Sequence, residues 1–212
     1  MGKFYEKLFS QAACPRGFWG RLLARWLMPM GHKPMYESAN ASLALQSEDD
    51  YLEVAFGSGI FIKKYASLIR SVAGLDYSKD MVEMAATVNY KLVNAGKADF
   101  RQGDASQLPW EDSKFTAAAV MGAFEVFPKP LESIKELYRV LRPKGRLVIT
   151  LGMHADDGRD HAKDIALGAK CYTANEMQSM FHEAGFTNVS VTLSGSKYAK
   201  GHPDIMTIHG LK

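Results

Sequence analysis

LEVAFGSGIF, residues 52–61, joins the end of an apolar strand to a turn that contains two glycines. The apolar run carries one acid, Glu53, and the glycines Gly57 and Gly59 are separated by a single serine. A strand that ends in such a turn and leads into a helix directs free backbone N–H groups at a bound nucleotide. The stretch therefore predicts a nucleotide-binding α/β sheet, although Ala55 stands where the commonest turn has its first glycine.

The length and composition allow one substantial hydrophobic core. The chain has 212 residues, 47% of them hydrophobic, and a formal net charge of +3. We expect a single domain over residues 1–212. The mild charge indicates no nucleic-acid partner, because dedicated binders concentrate basic residues on one face.

The two cysteines, Cys14 and Cys171, are far apart and show no metal-ligand spacing. Neither a metal site nor a disulfide framework is predicted, and a reducing, cytoplasmic setting is expected. No apolar stretch approaches the roughly 20 residues that span a bilayer. The opening segment also lacks the apolar core of a secretion signal. A soluble protein is expected, which could still contact a membrane surface.

Strand-like and helix-like segments alternate along the chain. The strand candidates are YLEVAF from residue 51, SVAGLD ending at 76, ADFRQGD ending at 104, FTAAAVMG ending at 122, GRLVITLG from 145, and NVSVTLS and IMTIHG in the tail. The helix candidates cover residues 61–71, 79–95, 131–141 and 173–184, and Ser78 is expected to cap the second of them. This alternation predicts a Rossmann-like, doubly wound, mainly parallel sheet of seven strands with helices on both faces.

Acids follow the turn at the ends of the next two strands. Asp76 ends the second strand and follows Gly57 by 76 − 57 = 19 residues. In nucleotide-binding sheets, an acid at this sequence spacing from the turn binds the ribose hydroxyls. A carboxylate accepts two hydrogen bonds from vicinal hydroxyls. Asp104 ends the third strand. Each feature alone has a simpler interpretation as a turn or a helix cap, but together they favour a ligand-binding edge.

At these residues the sequence resembles a known family. LEVAFGSG, GLDYSKDMVEMA, QGDASQLPWEDSKFTAAAVMGAFEVF and ELYRVLRPKGRLVIT are similar, in this order, to the motifs of class I S-adenosylmethionine-dependent methyltransferases, particularly the small UbiE-like, type 11 group. The resemblance is close over roughly residues 51–150. It implies an N-terminal helical cap over residues 1–48, a cofactor-binding core over 49–152 and a C-terminal region on the substrate side over 153–212. It implies an enzyme that transfers a methyl group from S-adenosylmethionine to an acceptor and releases S-adenosylhomocysteine.

The resemblance also implies a role for each matching position. Around the methionine part of the cofactor would lie Glu53, Ala55, Gly57, Gly59, Gly122, Ala123 and Phe124. Around the ribose and adenine would lie Asp76, Tyr77, Met81, Asp104 and Ala105. Alanine is a frequent variant in this family at the position of Ala55.

Two other classes of function stay open. A nicotinamide-dependent dehydrogenase has a GxGxxG turn, and its third glycine would fall at Ile62, a β-branched residue. That alternative is disfavoured, and it leaves Glu53 unexplained. A cofactor-binding module without methyl transfer is disfavoured only mildly, because the sequence does not show how an acceptor would bind.

No motif identifies a catalytic residue. A sulfonium methyl group is already activated, so the protein mainly has to align the acceptor and exclude water, and a base is needed only if the acceptor loses a proton. The acceptor is expected between the cap, the loops over 125–127 and 153–157, and the segment 196–204. Solvated histidines are commoner than catalytic ones, but the first candidates are His32, Tyr36 and His154.

The cap contains a predicted amphipathic helix, GFWGRLLARWLMPMGH over residues 17–32, with Pro29 expected to stop it. Its apolar face is formed by Phe18, Trp19, Leu22, Leu23, Trp26 and Leu27, and Arg21 and Arg25 are expected on the opposite side. Two interpretations remain: a lid with its aromatic residues buried over a small-molecule acceptor, or an interfacial helix that touches a membrane through residues 15–30. The second implies a lipid acceptor, such as a quinone precursor or a phospholipid amine. The oligomeric state does not follow from the sequence.

Overall fold

The computed structural model describes residues 14–195 and 204–212, together with Glu6 and Ser10, and a seven-stranded sheet organises them. In chain order the strands are β1 (Asp50–Val54), β2 (Ser71–Asp76), β3 (Ala98–Gln102), β4 (Phe115–Met121), β5 (Leu141–Leu151), β6 (Thr187–Ser194) and β7 (Ile205–Leu211). Their spatial order is β3-β2-β1-β4-β5-β7-β6. Strands β1 to β5 are parallel, and β7 runs antiparallel to both of its neighbours. The predicted doubly wound, mainly parallel sheet of seven strands is confirmed.

Helices cover the sheet and connect its strands. The α-helices in the described part of the chain are α1 (Gly17–Leu22), α2 (Met28–Leu43), α3 (Ile60–Tyr65), α4 (Lys79–Val88), α5 (Tyr90–Asn94), α6 (Pro130–Val140), α7 (Ala162–Ala166) and α8 (Ala174–Glu183). A π-helical turn, Leu23–Leu27, joins α1 to α2. None of the helices within the described ranges has both the length and the apolar character needed to traverse a bilayer.

Alternate residues of the central strands enter two hydrophobic clusters. Leu52 and Val54 of β1 belong to one cluster, whereas Tyr51 belongs to the other. The same alternation separates Ala118 from Ala117 in β4. Since successive side chains of a strand point to opposite faces, a strand with continuous burial packs against helices on both sides. This explains why β1, β2 and β4 are buried at nearly every position and consist mainly of apolar residues.

Two predicted helices are shorter than the sequence pattern indicates. The helix expected over 61–71 ends at Tyr65 and continues only as a 3₁₀ turn to Leu68. The helix expected over 79–95 breaks at Asn89, whose side-chain amide donates to the carbonyl oxygens of Gly59 and Ala85 at 3.0 Å. These hydrogen bonds compete with the regular backbone ladder, which explains the break.

Ser78 does not cap α4 as predicted. Its side chain makes no capping hydrogen bond, and its hydroxyl instead donates to the carbonyl oxygen of Pro15 at 2.5 Å. The residue therefore ties the N-terminal segment to the end of β2.

Pro29 does not stop the cap helix either. The chain passes through the π-helical turn and continues as α2 to Leu43, with a further proline, Pro34, inside. A proline has no N–H to donate to a helical hydrogen bond. The π-helical turn, whose hydrogen bonds join residues i and i+5, changes the backbone hydrogen-bond pattern just before Pro29. The helix thus accommodates the proline in the first turn of α2.

The aromatic residues of the cap helix are not buried. Phe18, Trp19 and Trp26 expose 72%, 72% and 61% of their surface, so the interpretation of a lid with buried aromatics is wrong. Arg25 is not opposite these residues, because its guanidinium lies 5.8 Å from the centre of the Trp26 ring. Of the predicted acceptor-side segments, residues 196–203 lie outside the described residues.

Candidate active site

A cavity of about 550 Å³ lies at the carboxyl ends of the parallel strands. Its walls include residues 53–58 from the end of β1, 75–77 from β2, 103–105 after β3 and 121–123 from β4. The strand order reverses between β1 and β4, and such a switch point is where open α/β sheets bind ligands.

The turn after β1 holds three residues in the left-handed region, where glycine is favoured. Ala55, Gly57 and Gly59 have φ values of 59°, 56° and 70°. Ala55 therefore occupies a conformation that costs an L-residue about 1–2 kcal/mol, which explains why glycine is commoner there. Its backbone N–H donates to the Leu75 carbonyl oxygen at 2.7 Å, so the turn still joins β2.

The two glycines of the turn have different surroundings. Gly57 lines the cavity, and a Cβ added to it would meet nothing within 4 Å. Gly59 is not among the lining residues, and a Cβ there would lie 2.8 Å from the Ala85 Cβ of α4. The prediction that both glycines allow close approach to a ligand thus fits Gly57, whereas Gly59 allows the turn to pack against α4.

Asp76 is buried in the cavity wall and braces the turn. Its Oδ2 accepts from the Gly57 N–H at 2.9 Å, and its Oδ1 accepts from the Ser78 N–H at 2.8 Å. Burial raises the pKa of this carboxyl to about 6, against the opposing effect of the two backbone hydrogen bonds. Each carboxylate oxygen keeps a further lone pair, which a ribose diol could use.

Glu53 is the more deeply buried acid, with 2% of its surface exposed. The Tyr51 hydroxyl donates to its Oε2 at 3.0 Å. Burial raises the pKa of Glu53 to about 8; the Tyr51 hydrogen bond opposes this effect, and the charge of Asp76 adds to it. The carboxyl is therefore mainly protonated at neutral pH, and a cationic ligand group placed against it would favour ionisation.

The remaining predicted adenine-side residues lie at the open rim or in the core. Asp104 and Ala105 line the cavity, and the Asp104 Oδ1 accepts from the N–H and hydroxyl of Ser106. Tyr77 is exposed at the rim. Met81 is fully buried in a hydrophobic cluster and does not line the cavity, so the structure does not place it beside a ligand.

At the end of β4, Gly122 and Ala123 line the cavity but Phe124 does not. Gly122 has a φ of 63°, and a Cβ there would lie 3.0 Å from the Met35 Cε of α2. Phe124 is fully buried and its ring packs against Phe127 and Tyr172, with centroids 5.3 and 5.6 Å away. The prediction that Phe124 forms part of this wall is wrong, because the 3₁₀ turn Phe124–Val126 directs its ring into the core.

His32 and Tyr36 bring the cap into the cavity wall. Their rings meet edge to face with centroids 6.0 Å apart. Burial lowers the pKa of His32, so the imidazole is mainly neutral at pH 7. Burial, followed by the charge of Glu53, raises the pKa of the Tyr36 phenol, which stays protonated. His154, the third candidate, is fully buried and is not among the lining residues.

Glu125 is the acceptor-side residue whose role the sequence did not show. It is buried and lines the cavity, and its Oε1 accepts from the N–H groups of Gly152 and Met153 at 2.8 and 3.3 Å. Burial raises the pKa of its carboxyl. The sequence placed it in an acceptor loop but carried no signal of its burial. Other lining residues had no sequence signal: Cys14, Pro15, Ala24, Ser133 and Ala169.

Comparison with known proteins identifies the domain. Residues 52–149 match the family model described as "Methyltransferase domain". Residues 52–149 form a methyltransferase domain of the class I S-adenosylmethionine-dependent type. This domain runs from β1 to β5 and so includes the strand ends that form the cavity.

The names of the curated relatives of this chain give different methyl acceptors. A demethylmenaquinone methyltransferase of Clavibacter sepedonicus is 27% identical over 124 residues, which are 58% of this chain and 49% of the relative. A phosphatidylethanolamine N-methyltransferase of Cereibacter sphaeroides is 30% identical over 116 residues, 55% of this chain and 57% of the relative. The chain spans about half the length of the curated relatives it matches.

The fold of the chain also matches solved structures. An S-adenosylmethionine-dependent methyltransferase of Thermotoga maritima superimposes with a TM-score of 0.67 at 21% identity, covering 92% of this chain and all of the other. At this identity the likeness supports the fold.

The cavity fits S-adenosylmethionine, the cofactor that the domain match indicates. Among the described residues that line it there is no lysine or arginine, whereas Glu53, Asp76, Asp104 and Glu125 contribute carboxyl groups. Such a wall suits a ligand that carries positive charge on its sulfonium and amino groups. Within the described ranges, no cluster of three or more His, Cys, Asp or Glu residues could hold a metal ion.

Proposed function

We propose that this protein transfers a methyl group from S-adenosylmethionine to an apolar acceptor that carries no negative charge. The observation that carries the proposal is the carboxyl-lined cavity at the switch point, which continues into a wall containing His32 and Tyr36. One cavity therefore offers both a cofactor end and an acceptor end.

The cofactor end is formed by the strand termini. Asp76 would accept hydrogen bonds from the ribose hydroxyls, and Glu53 would face the amino group of the methionine part. Asp104 and Ala105 would lie beside the adenine. Gly57 would allow close approach of the backbone, because no side chain intervenes there.

The acceptor end is mainly apolar. The residues that line it are Val126, Phe127, Met153 and Ala169, with the buried carboxyl of Glu125 as the acidic group on that side. A phosphate or carboxylate on the acceptor would meet no cationic side chain among the described lining residues, and an unpaired buried charge is costly. This supports a neutral or cationic acceptor.

When bound, the cofactor supplies a methyl group that is already activated by the sulfonium. The chain then has to align the acceptor and keep water out. The neutral imidazole of His32 can accept a proton from an acceptor hydroxyl or ammonium group at pH 7. The protonated phenol of Tyr36 can donate a hydrogen bond to orient the acceptor.

A lipid acceptor, either a quinone precursor or a phospholipid amine, is a second candidate. It is favoured by the position of the exposed Phe18, Trp19 and Trp26. They lie on the outer side of the cap segment, and Ala24 and His32 of the same segment line the cavity on its inner side. The aromatic surface would then contact a membrane through residues 15–30. A phospholipid would have to leave its phosphate outside the cavity, whereas a quinone precursor would not.

The test combines binding and turnover on the full chain. Isothermal titration should show one S-adenosylmethionine per chain, and S-adenosylhomocysteine formation should be measured over a panel of phenols, amines and short-chain quinols. Each acceptor is paired with its carboxylated analogue, and the neutral or cationic member should react faster. Binding without turnover on the whole panel would favour a cofactor-binding module, and no binding would refute the proposal.

A further inference from the structure

An exposed apolar stripe runs along the cap helix. We define the cap stripe as Phe18, Trp19, Leu22, Trp26 and Met30, all exposed. Four of its members repeat every four residues from α1 through the π-helical turn into α2. They therefore follow one side of the segment. A contiguous exposed apolar surface of this kind marks an interaction site.

The opposite side of the same segment is fixed to the body of the protein. Gly20 and Ala24 are buried, and Ala24 lines the cavity. The Arg21 guanidinium donates to Asp80 at 2.8 Å and to Glu83 at 2.5 Å, both on α4. The Gly17 N–H also donates to Asp80 at 2.5 Å. These contacts hold the cap stripe outward.

The charge around the cap stripe is positive. Residues 15–33 contain Arg16, Arg21, Arg25 and Lys33 and no acid, so the segment carries 4 − 0 = +4. Arg21 is engaged by the two acids of α4, and Lys33 has Glu37 at 3.7 Å. Arg25 is exposed and lies against the ring of Trp26, at the edge of the stripe.

We infer that the cap stripe docks on the surface of an anionic lipid bilayer. Helices that lie in the headgroup region of a bilayer carry tryptophan and phenylalanine on one side, with arginine and lysine beside them. A second copy of this chain is a poorer occupant, because residues 15–33 of that copy offer no acid to pair with the exposed Arg25. The inference deepens the lipid-acceptor candidate of the proposed function and rests on it. Docking is measured without turnover, so its failure is distinguishable from a failure of methyl transfer.

Docking would place the cavity at the membrane surface. The segment that carries the cap stripe outside is the one that contributes Ala24 and His32 inside. An acceptor dissolved in the bilayer would then reach the cavity across the thickness of one helix, without crossing water.

Vesicle co-sedimentation of the full chain tests the inference. The protein should bind vesicles of phosphatidylcholine mixed with phosphatidylglycerol, and bind phosphatidylcholine alone much more weakly. The emission of Trp19 and Trp26 should shift to shorter wavelength on binding, whereas the buried Trp110 contributes no shift. The double variant Trp19→Ser/Trp26→Ser should lose binding to both kinds of vesicle. Arg25→Gln/Lys33→Gln should lose only the preference for anionic vesicles, by about fivefold per charge removed.

Matched controls come from α5 and the turn after it. Tyr90→Ser/Val93→Ser removes an exposed apolar pair, and Lys91→Gln/Lys97→Gln removes two exposed cations. Neither should change vesicle binding. All variants should bind S-adenosylmethionine like the parent, which shows that they are folded.

Three results would overturn the inference. The first is no co-sedimentation of the parent with anionic vesicles. The second is equal vesicle binding by the parent and by Trp19→Ser/Trp26→Ser. The third is a dimer of the parent in sedimentation velocity that becomes a monomer in Trp19→Ser/Trp26→Ser. This result would assign the cap stripe to a contact with a second copy of the chain.

Discussion

The carboxylate of Asp76 accepts a hydrogen bond from the backbone N–H of Gly57 at 2.9 Å, across 19 residues of sequence. The acid at the end of β2 and the turn at the end of β1 are therefore one structural unit. A residue expected to contact a ribose also fixes the backbone that approaches the cofactor, so its substitution should affect both.

Asp76→Asn should weaken S-adenosylmethionine binding by about 10- to 100-fold, or about 1.4–3 kcal/mol. An amide has one acceptor oxygen, so it cannot serve both the Gly57 and Ser78 N–H groups and still accept from two hydroxyls. Isothermal titration measures the change. Glu111→Gln, an exposed acid elsewhere, serves as the control and should bind like the parent. Parent-like affinity in Asp76→Asn would contradict the assignment of this carboxyl to the cofactor.

Glu53→Gln should become more stable relative to the parent as the pH rises. Burial raises the pKa of Glu53 from 4.5 to about 8, so the folded state binds more protons than the unfolded state within this window. The stability of the parent therefore falls as the pH rises from 4.5 to about 8. Glutamine does not titrate, and the difference between the two proteins should change by on the order of a few kcal/mol.

Urea unfolding of the ligand-free parent and variant at both ends of this pH window measures the effect. A difference that stays constant with pH would show that the Glu53 carboxyl does not hold its proton in the folded state. The same substitution should weaken cofactor binding, because glutamine cannot ionise against an amino group. A variant that gains stability and loses affinity would place Glu53 in the binding site.

His32→Ala should lower kcat by about 100-fold for an acceptor that loses a proton, the size of a general-base contribution. Burial lowers the pKa of His32 from 6.5, so the parent rate should rise with pH below 6.5 and level off above it. Cofactor affinity should stay within about twofold, because the imidazole belongs to the acceptor end. His154→Ala should cost stability but leave kcat unchanged, since His154 is buried outside the cavity wall. Full turnover and an unchanged pH profile in His32→Ala would remove His32 as the base.

The sheet could be predicted because its strands are marked by burial on both faces. The run of β4 is apolar at every position but one, and β1 is buried at every position but its first; this pattern is typical of parallel strands under helices. Helix ends were harder to predict, because they depend on contacts between distant residues. The break at Asn89 depends on its bond to Gly59, and the passage through Pro29 depends on a π-helical turn that the sequence pattern does not show.

The site could be predicted where it consists of strand ends. Asp76, Gly57 and Asp104 line the cavity because parallel strands bring their carboxyl ends to one edge. Side chains that follow a strand by three to five residues were less predictable, because the next turn or helix sets their orientation. Phe124 and Met81 were expected in the wall and lie in the core, whereas the burial of Glu125 was not foreseen.

Gly59→Ala should destabilise the protein by at least about 2 kcal/mol. A left-handed φ of 70° strains alanine, and its Cβ would also lie 2.8 Å from both the Ala85 Cβ and the Asn89 amide nitrogen. Gly96→Ala is the matched control, because Gly96 has a φ of 67° with nothing within 4 Å of an added Cβ. Urea unfolding should show a loss of only about 1–2 kcal/mol for that control. Equal losses in the two variants would show that Gly59 is needed for its φ angle and not for packing against α4.

Ala55→Gly should leave stability within about 1 kcal/mol of the parent, although it removes a partly buried methyl group. Relief of the left-handed strain at φ 59° contributes about 1–2 kcal/mol, which offsets the lost burial of about 0.8 kcal/mol and the added chain entropy of about 0.4–1 kcal/mol. Ala118→Gly in β4 is the control: it is fully buried without such strain and should lose about 1–2 kcal/mol. Urea unfolding compares the two variants, and titration should show cofactor affinity within about twofold of the parent in Ala55→Gly. An equal loss of stability in both variants would mean that Ala55 is not strained, and the alanine in this turn would then need another explanation.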